Sequence, residues 1–237
     1  MAFTVRWLGQ GGFLFKLGDR TLVIDPYLSD SVAQTDHFHR IVPIPVEPEK
    51  LACDMVVCTH DHQDHLDADT IGKTSLPLYA GPDSCAQHFR ALGISEEKIA
   101  ILNRGDTLPL GEARVTGVFA RHTKDSIGVV IEYQGVKMYV TGDTEYDGQL
   151  IDEQRRGVDI LFICINGRLG NMNAQDAARV ATALDCRLAV PMHYGMFAEN
   201  TEDPAVFVNA VKPGGIPTFV MDFDKEYELS DMLRRAR

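Results

Sequence analysis

Apolar residues in the first part of the chain occur in short runs that glycine and aspartate interrupt. The runs FTVRWLG, FLFKLGD and RTLVIDPYL have the length and composition of β-strands joined by tight turns. The glycine-rich stretch 9–13 invites comparison with a phosphate-binding loop, but a strand pattern follows it where such a loop would open a helix. We therefore predict a hairpin meander with a glycine-rich turn at 9–13.

Strand and helix patterns alternate further along the chain. DMVVCT predicts a buried strand, SCAQHFRALG a helix capped by Ser84, and the region from Thr107 several more strands. The runs DILFICIN, RLAVPMHY and IPTFVMDF then predict strands that alternate with helices beginning after Asn173 and at Pro204. Because no linker-like change of composition interrupts this order, we expect residues 1–237 to form a single α/β domain with two sheets and helices on the outer faces.

Composition and charge narrow the class of protein. A chain of 237 residues with 45% hydrophobic residues can bury one substantial core. The formal net charge of −11 argues against nucleic-acid or anionic-membrane partners, and no apolar run has the length of a membrane helix. The five cysteines have no C-x-x-C spacing, so we expect reduced, buried thiols in a cytoplasmic protein.

The run THDHQDHLD, which directly follows the DMVVC strand, contains three histidines and three aspartates. Within it His60, His62, Asp64 and His65 form the pattern H-x-H-x-D-H. Alternate side chains leaving a strand point to one side, so His60 and His62 can face one cation while Asp64 and His65 face another. Imidazole and carboxylate ligands suit zinc, iron and manganese. A solvated polar loop is the alternative, but this density of ligand-type side chains favours a metal site.

Other ligand-type residues also follow apolar strands. Asp25 comes after TLVI, His122 after RVTGVFAR, Asp143 after VKMYVTG and His193 after RLAVPM. Each of them alone is explained more simply as a turn or cap residue. Together, beside an H-x-H-x-D-H run, they favour a shared site.

The motifs THDHQDH, Arg121-His122-Thr123, TGDT and PMHYG, in this order, resemble the metallo-β-lactamase superfamily. The resemblance implies an αββα four-layer sandwich with two divalent metal ions, Mn or Zn with Fe as a third candidate, at one edge of the sheets. Asp25 would be a supporting residue. The implied ligands are His60, His62 and His122 for one ion, Asp64, His65 and His193 for the other, and Asp143 bridging them.

The runs WLGQGGF, IDPYLSD and TGDTEYDG resemble a narrower group, the L-ascorbate-6-phosphate lactonase branch. This resemblance implies a small-molecule substrate, such as a phosphorylated sugar lactone, and is consistent with a homo-oligomer. Two close cations would lower the pKa of a shared water, and the resulting hydroxide would attack the carbonyl carbon. Asp64 and Asp143 would fix that water as the catalytic carboxylates.

Candidate substrate contacts come from loops near the predicted site. Asn166 and Arg168 follow the DILFICI strand, and Arg168 could clamp a phosphate or be a solvated loop residue. Tyr194 could donate to a substrate oxygen or pack in the core. His37 and His39 could line the pocket from a loop with several prolines.

Three other functional classes remain open. A metal-dependent phosphodiesterase or nuclease could use the same metal pair, although the acidic chain disfavours RNA binding. A redox-active iron protein of this fold would need a flavin partner or a persulfide substrate. A non-catalytic binding protein is disfavoured because every implied ligand position carries a competent side chain.

Overall fold

The computed structural model describes residues 2–152 and 155–236. The β-strands of these residues form two sheets that pack face to face. The strands are β1 (Ala2–Gly9), β2 (Gly12–Gly18), β3 (Arg20–Ile24), β4 (Met55–Val57), β5 (Tyr79–Gly81), β6 (Ile99–Ile101), β7 (Thr107–Leu110), β8 (Ala113–Phe119), β9 (Ile127–Tyr133), β10 (Val136–Val140), β11 (Ile160–Cys164), β12 (Leu188–Met192) and β13 (Glu226–Glu228).

The helices are mostly short. The α-helices are α1 (Val32–Thr35), α2 (Ala68–Ile71), α3 (Asp83–Ala91), α4 (Ala174–Leu184), α5 (Pro204–Val211) and α6 (Leu229–Arg235). Single 3₁₀ turns cover Pro48–Lys50, Glu96–Lys98, Gly148–Leu150 and Lys212–Gly214. The α4 helix begins where the sequence predicted, because the side chain of Asn173 accepts a hydrogen bond from the Asp176 N–H, and Pro204 occupies the first turn of α5.

Both sheets mix antiparallel and parallel pairing. The first has the order β13-β1-β2-β3-β4-β5-β6, with antiparallel pairs from β13 to β3 and parallel pairs from β3 to β6. The second has the order β12-β11-β10-β9-β8-β7, with parallel pairs among β10, β11 and β12. The predicted meander of β1, β2 and β3 is confirmed. Segments that leave the parallel strands emerge at a common edge of each sheet.

The main core lies between the two sheets. The Phe13 and Phe15 rings of β2 lie 4.8 and 5.6 Å from the Phe162 ring of β11. All five residues of β11 are buried, since α4 covers the other face of this sheet. A second apolar cluster packs α3 against the outer face of the first sheet, through residues such as Tyr79 and Phe89. The layers are therefore those of an α/β sandwich, as predicted.

Two local predictions are wrong. The α3 helix begins at Asp83 with Pro82 as its cap, and the Ser84 hydroxyl instead donates to Asp125 at 3.0 Å. The IPTFVMDF run forms no strand: Ala189 makes two backbone hydrogen bonds, accepting from Phe219 and donating to Pro217. Pro217 has no N–H to extend that ladder, so the chain leaves the sheet edge.

In the described part of the chain, the state of the cysteines and the lengths of the helices agree with what the sequence predicted, namely free thiols and no membrane helix. The five cysteines are free thiols, and four of them are buried. Within residues 2–152 and 155–236, none of the helices combines the length and apolar character that crossing a membrane requires. The cytoplasmic location and the single-domain organisation stay predictions.

Candidate metal centre

The H-x-H-x-D-H run folds as a tight turn after β4. The backbone N–H groups of His65 and Leu66 both donate to the His62 carbonyl, at 2.9 and 2.8 Å, which closes the turn. The α2 helix begins only after this turn, at Ala68, where the Asp67 side chain accepts from the Asp69 N–H. Asp67 is therefore the N-cap residue of α2.

The structure brings all seven predicted ligands together. They follow β4, β8, β10 and β12, so residues far apart in sequence meet at one edge of the sandwich. Their ligand atoms form three sets in which all members lie within 4.8 Å of one another: His60, His62 and His122; His60, His65 and Asp143; and Asp64, His65 and His193.

A buried carboxylate orients two of these histidines. Asp25 is fully buried and accepts hydrogen bonds from the Thr59 N–H and hydroxyl, each at 2.7 Å. Its Oδ2 also lies 2.7 Å from Nδ1 of His65. Because a carboxylate only accepts, Nδ1 of His65 carries a proton and Nε2 is directed to the centre. The Thr59 hydroxyl, having donated to Asp25, accepts from Nδ1 of His60 at 3.1 Å, which fixes the same orientation.

The remaining imidazoles face one another in pairs. Nδ1 of His122 donates to the Gly170 carbonyl at 3.0 Å, and its Nε2 lies 3.0 Å from Nδ1 of His62. Nε2 of His65 lies 3.3 Å from Nε2 of His193. Ring nitrogens that converge in this way fit ligation of a shared cation.

An unpartnered nitrogen strengthens this fit. Nε2 of His60 is buried and has no hydrogen-bond partner among the described residues, although buried polar atoms are nearly always paired. Burial holds the pKa of His60 well below its ordinary value, so the ring is neutral and its free lone pair is available to a metal. The donor set therefore fits divalent cations that accept nitrogen and oxygen ligands.

Charge pairing holds the acidic ligands ionised. Burial would raise the pKa of Asp143, but the charges of His193 and His65 hold it well below its ordinary range. Burial would likewise lower the pKa of His193, but Asp143 and Asp64 raise it to about 9. A cation entering the centre would take the place of these protons.

The glycine-rich turn contacts the same centre, which the sequence did not reveal. The turn itself is confirmed, but a Cβ on Gly11 would lie 2.8 Å from Cε1 of His65. The Gln10 side chain is fully buried, and its amide nitrogen donates to Oδ2 of Asp64 at 2.7 Å and lies 3.1 Å from Nε2 of His193. The position of GQGGF directly after a strand is the only signal that it shares with the recognised ligands.

A cavity of about 450 Å³ opens over the centre. Four predicted ligands line it: His62, Asp64, His122 and Asp143. A larger groove of about 910 Å³ lies between α4 and α5, but none of the predicted ligands lines it. We therefore take the smaller cavity as the candidate substrate site, because it is the one that reaches the ligand cluster.

The predicted substrate residues lie elsewhere. The Asn166 amide donates to Asn200 at 2.7 Å in a buried contact, and Arg168 is exposed. The buried Tyr194 ring packs on Trp7, with 4.8 Å between the ring centres. None of the three predicted residues lines the cavity, so their contact with substrate stays a prediction.

The proline-bearing loop does reach the cavity, but through other residues than expected. Asp36 and Phe38 line it, whereas His37 and His39 are exposed and do not. Nδ1 of His39 lies 3.0 Å from a carboxylate oxygen of Asp30 instead. Asp36 ends α1 in a helical conformation and His37 has a left-handed backbone with φ of +62°, so the chain turns between the two residues that line the cavity.

Comparison with known proteins finds similarity to the β-lactamase superfamily and to metal-dependent hydrolases. A β-lactamase superfamily domain matches residues 20–194. A "UPF0173 metal-dependent hydrolase" of Archaeoglobus fulgidus is 31% identical over 92% of this chain and 94% of its own length. A metallo hydrolase structure from Ignicoccus hospitalis is 20% identical with a TM-score of 0.76, covering 96% of this chain and 98% of that one. A possible metal-dependent hydrolase from Veillonella parvula is 16% identical with a TM-score of 0.79, covering 97% of this chain and 100% of that one.

Proposed function

Since this chain belongs to the metallo-β-lactamase superfamily, we propose that it is a metal-dependent hydrolase that opens a lactone or a related carbonyl ester. The observation that carries the proposal is the convergence of imidazole and carboxylate groups on one cavity. The UPF0173 relatives are named metal-dependent hydrolases, which supports the assignment of this chain to that general class of enzyme. The lactone itself rests on the resemblance to the L-ascorbate-6-phosphate lactonase branch.

The proposed ligand assignment follows the three sets of atoms. When bound, two divalent cations, Mn or Zn with Fe as a third candidate, would make water more acidic and polarise a carbonyl oxygen. The proposed ligands are His60, His62 and His122 for one cation, Asp64, His65 and His193 for the other, and Asp143 for both.

The chain's own groups prepare the two catalytic carboxylates. The Asn171 amide donates to Oδ2 of Asp143 at 2.7 Å, which fixes that carboxylate inside the centre. The Gln10 amide fixes Oδ2 of Asp64 in the same way, while Asp64 also lines the cavity and can accept a hydrogen bond from water there. This arrangement requires no protein nucleophile, and the sequence has no G-x-S-x-G motif.

The alternative of the same fold, a phosphodiesterase or nuclease, has less support. Phosphate recognition away from a metal relies on Arg, Lys or backbone N–H donors. Among the described residues that line the cavity, none is Lys or Arg. We therefore place acyl hydrolysis ahead of phosphodiester hydrolysis.

The proposal is tested by removing and restoring metal. The purified protein would be treated with a chelator, reloaded with Mn²⁺ or Zn²⁺, analysed for bound ions, and assayed on lactones that include L-ascorbate 6-phosphate. We expect about two ions per chain and turnover that depends on them. An Asp143→Ala protein of native fold that hydrolyses lactones like the wild type would overturn the mechanism. Absence of lactone turnover in protein that holds two ions would overturn the lactone assignment.

A further inference from the structure

The cavity wall away from the ligands is apolar. Val32, Phe38 and Phe197 line it, and the two phenyl rings lie 6.3 Å apart. Phe197 also packs on Tyr27, with 5.7 Å between the ring centres, in a small apolar cluster separate from both larger ones. Because this wall is fixed by its own packing, it offers a preformed surface to an apolar group.

Leu169 adds a second apolar element from another loop. It lines the cavity, is 68% exposed and has φ of +50°. An exposed leucine in the left-handed region is unfavourable, since glycine or asparagine would adopt that backbone more easily. Because most of the Leu169 side chain is not covered by the fold, it is available to an apolar group of a ligand in the cavity.

No Lys or Arg side chain lines the cavity among residues 2–152 and 155–236. Its remaining lining residues are polar or acidic: Asp36, Gln63 and Asn200. The nearby arginines are engaged elsewhere, since Arg40 donates to the Ser29 and Val42 carbonyls, at 2.8 and 2.9 Å. Asp36 would repel a phosphate or carboxylate near this wall.

Two further arginines adjoin lining residues in the sequence without entering the cavity. Arg121, next to His122, is 3.3 Å from Glu145 and 3.5 Å from Asp147. Arg168, next to Leu169, is exposed and points to the Glu199 carbonyl at 3.5 Å. Neither arginine lines the cavity, so in this structure neither is placed to clamp a substrate phosphate there.

We propose that the substrate directs its carbonyl group to the ligand cluster and an uncharged apolar substituent to the wall formed by Val32, Phe38, Leu169 and Phe197. The substrate class is therefore a neutral lactone or ester with an apolar substituent, not a phosphorylated sugar lactone. This inference rests on the proposed function for the carbonyl part and replaces the phosphorylated substrate that the sequence suggested.

A binding experiment tests the inference without turnover. Two probes share a hydroxamate head that binds metal, and one ends in a butyl group while the other ends in a phosphate. Calorimetry with the zinc-loaded protein should show that the butyl probe binds at least about tenfold more tightly, given the apolar area it buries. Equal or tighter binding of the phosphate probe, or no binding of the butyl probe, would overturn the substrate class.

Paired variants locate the preference. Leu169→Ser should weaken binding of the butyl probe by roughly three- to tenfold and leave binding of the phosphate probe unchanged. Asp36→Asn should strengthen binding of the phosphate probe by roughly threefold. The effect is small because the Asp36 carboxylate is exposed. Val220→Ser and Asp19→Asn are the controls, since they alter an exposed apolar and an exposed acidic residue outside the cavity. They should leave the dissociation constants of both probes unchanged.

Turnover of matched lactones separates this inference from the proposed function. A butyl preference in binding, without turnover of any lactone, would keep the apolar site and reject lactone hydrolysis. Turnover with a preference for the phosphorylated lactone would keep the hydrolase and reject the apolar substrate class. Turnover with a preference for the butyl lactone would support both.

Discussion

Replacing Asp25 by asparagine tests whether the buried carboxylate orients the metal ligands. Asn has nearly the same size and tolerates the φ of +43° at this position, so the backbone should be kept. Its amide nitrogen cannot accept, however, and Asp25 now accepts from the Thr59 N–H, the Thr59 hydroxyl and Nδ1 of His65. At least one buried donor must therefore lose its partner.

The size of the effect follows from these contacts. A hydrogen bond to a charged group contributes about 1.5–3 kcal/mol, so the free energy of unfolding of the metal-free protein should fall by about that amount. Loss of the group that orients a metal-bound histidine typically reduces metal affinity about 10- to 100-fold. Asp25 contacts His65 directly and His60 through the Thr59 hydroxyl, and these two histidines are assigned to different ions, so the affinity for both ions should fall.

Urea unfolding and competition with a chelator measure the two effects separately. Asp54→Asn is the matched control: Asp54 accepts from the Thr21 N–H at 2.8 Å and from Arg20 at 2.9 Å, at the opposite end of β4. It should lose stability but keep metal affinity within about twofold of the wild type, since it touches none of the ligands. A folded Asp25→Asn protein with wild-type metal affinity would refute the orienting role.

Three further substitutions test the centre. Gly11→Ala should lower metal affinity about tenfold in the chelator competition, because the added Cβ would press on the His65 ring. Gly148→Ala is the control: its Cβ would have open space around it, so metal affinity should stay normal. In Gln10→Asn the new residue suits the left-handed backbone, but its side chain is too short to reach Asp64, so lactone turnover should fall about tenfold. Unchanged turnover would show that the Gln10 amide does not support Asp64 in catalysis. His62→Ala should abolish metal-dependent turnover with an unchanged circular dichroism spectrum, and activity retained in this variant would contradict the ligand assignment.

The parts of the centre that could be predicted are those with a local signal. His60, Asp143 and His193 each follow an apolar run, and the parallel strands β4, β10 and β12 carry such residues to one edge. Hydrophobic periodicity therefore predicts both the strands and the positions where ligands emerge. The same reasoning failed for IPTFVMDF, because an apolar run becomes a strand only if a neighbouring edge can pair with it, and pairing is not local.

Supporting residues were missed because their role depends on contacts across the fold. Gln10 and Asp64 are 54 positions apart, and nothing in GQGGF itself indicates that its amide meets a carboxylate in another turn. Likewise, the Asn171 amide donates to Asp143, 28 positions away, and nothing in the sequence around Asn171 indicates that contact. Loop side chains have no periodicity that fixes their direction, so the sequence could not decide whether Arg168 lines the cavity, and in the structure it does not.

The two halves of the candidate site differ in how they are held, and this difference has a functional consequence. Each metal-facing imidazole of His60, His65 and His122 is fixed by a hydrogen bond from behind, so small shifts are resisted by buried polar contacts. The apolar wall instead consists of packed rings around Phe197 and of the exposed Leu169. Leu169 lies next to Gly170, whose carbonyl accepts the His122 hydrogen bond, whereas the ring packing involves none of the residues in those hydrogen bonds. Substitutions at Phe38 or Phe197 can therefore alter which substituent is accepted while the ligand geometry is kept, which is how one hydrolytic centre can serve different substrates.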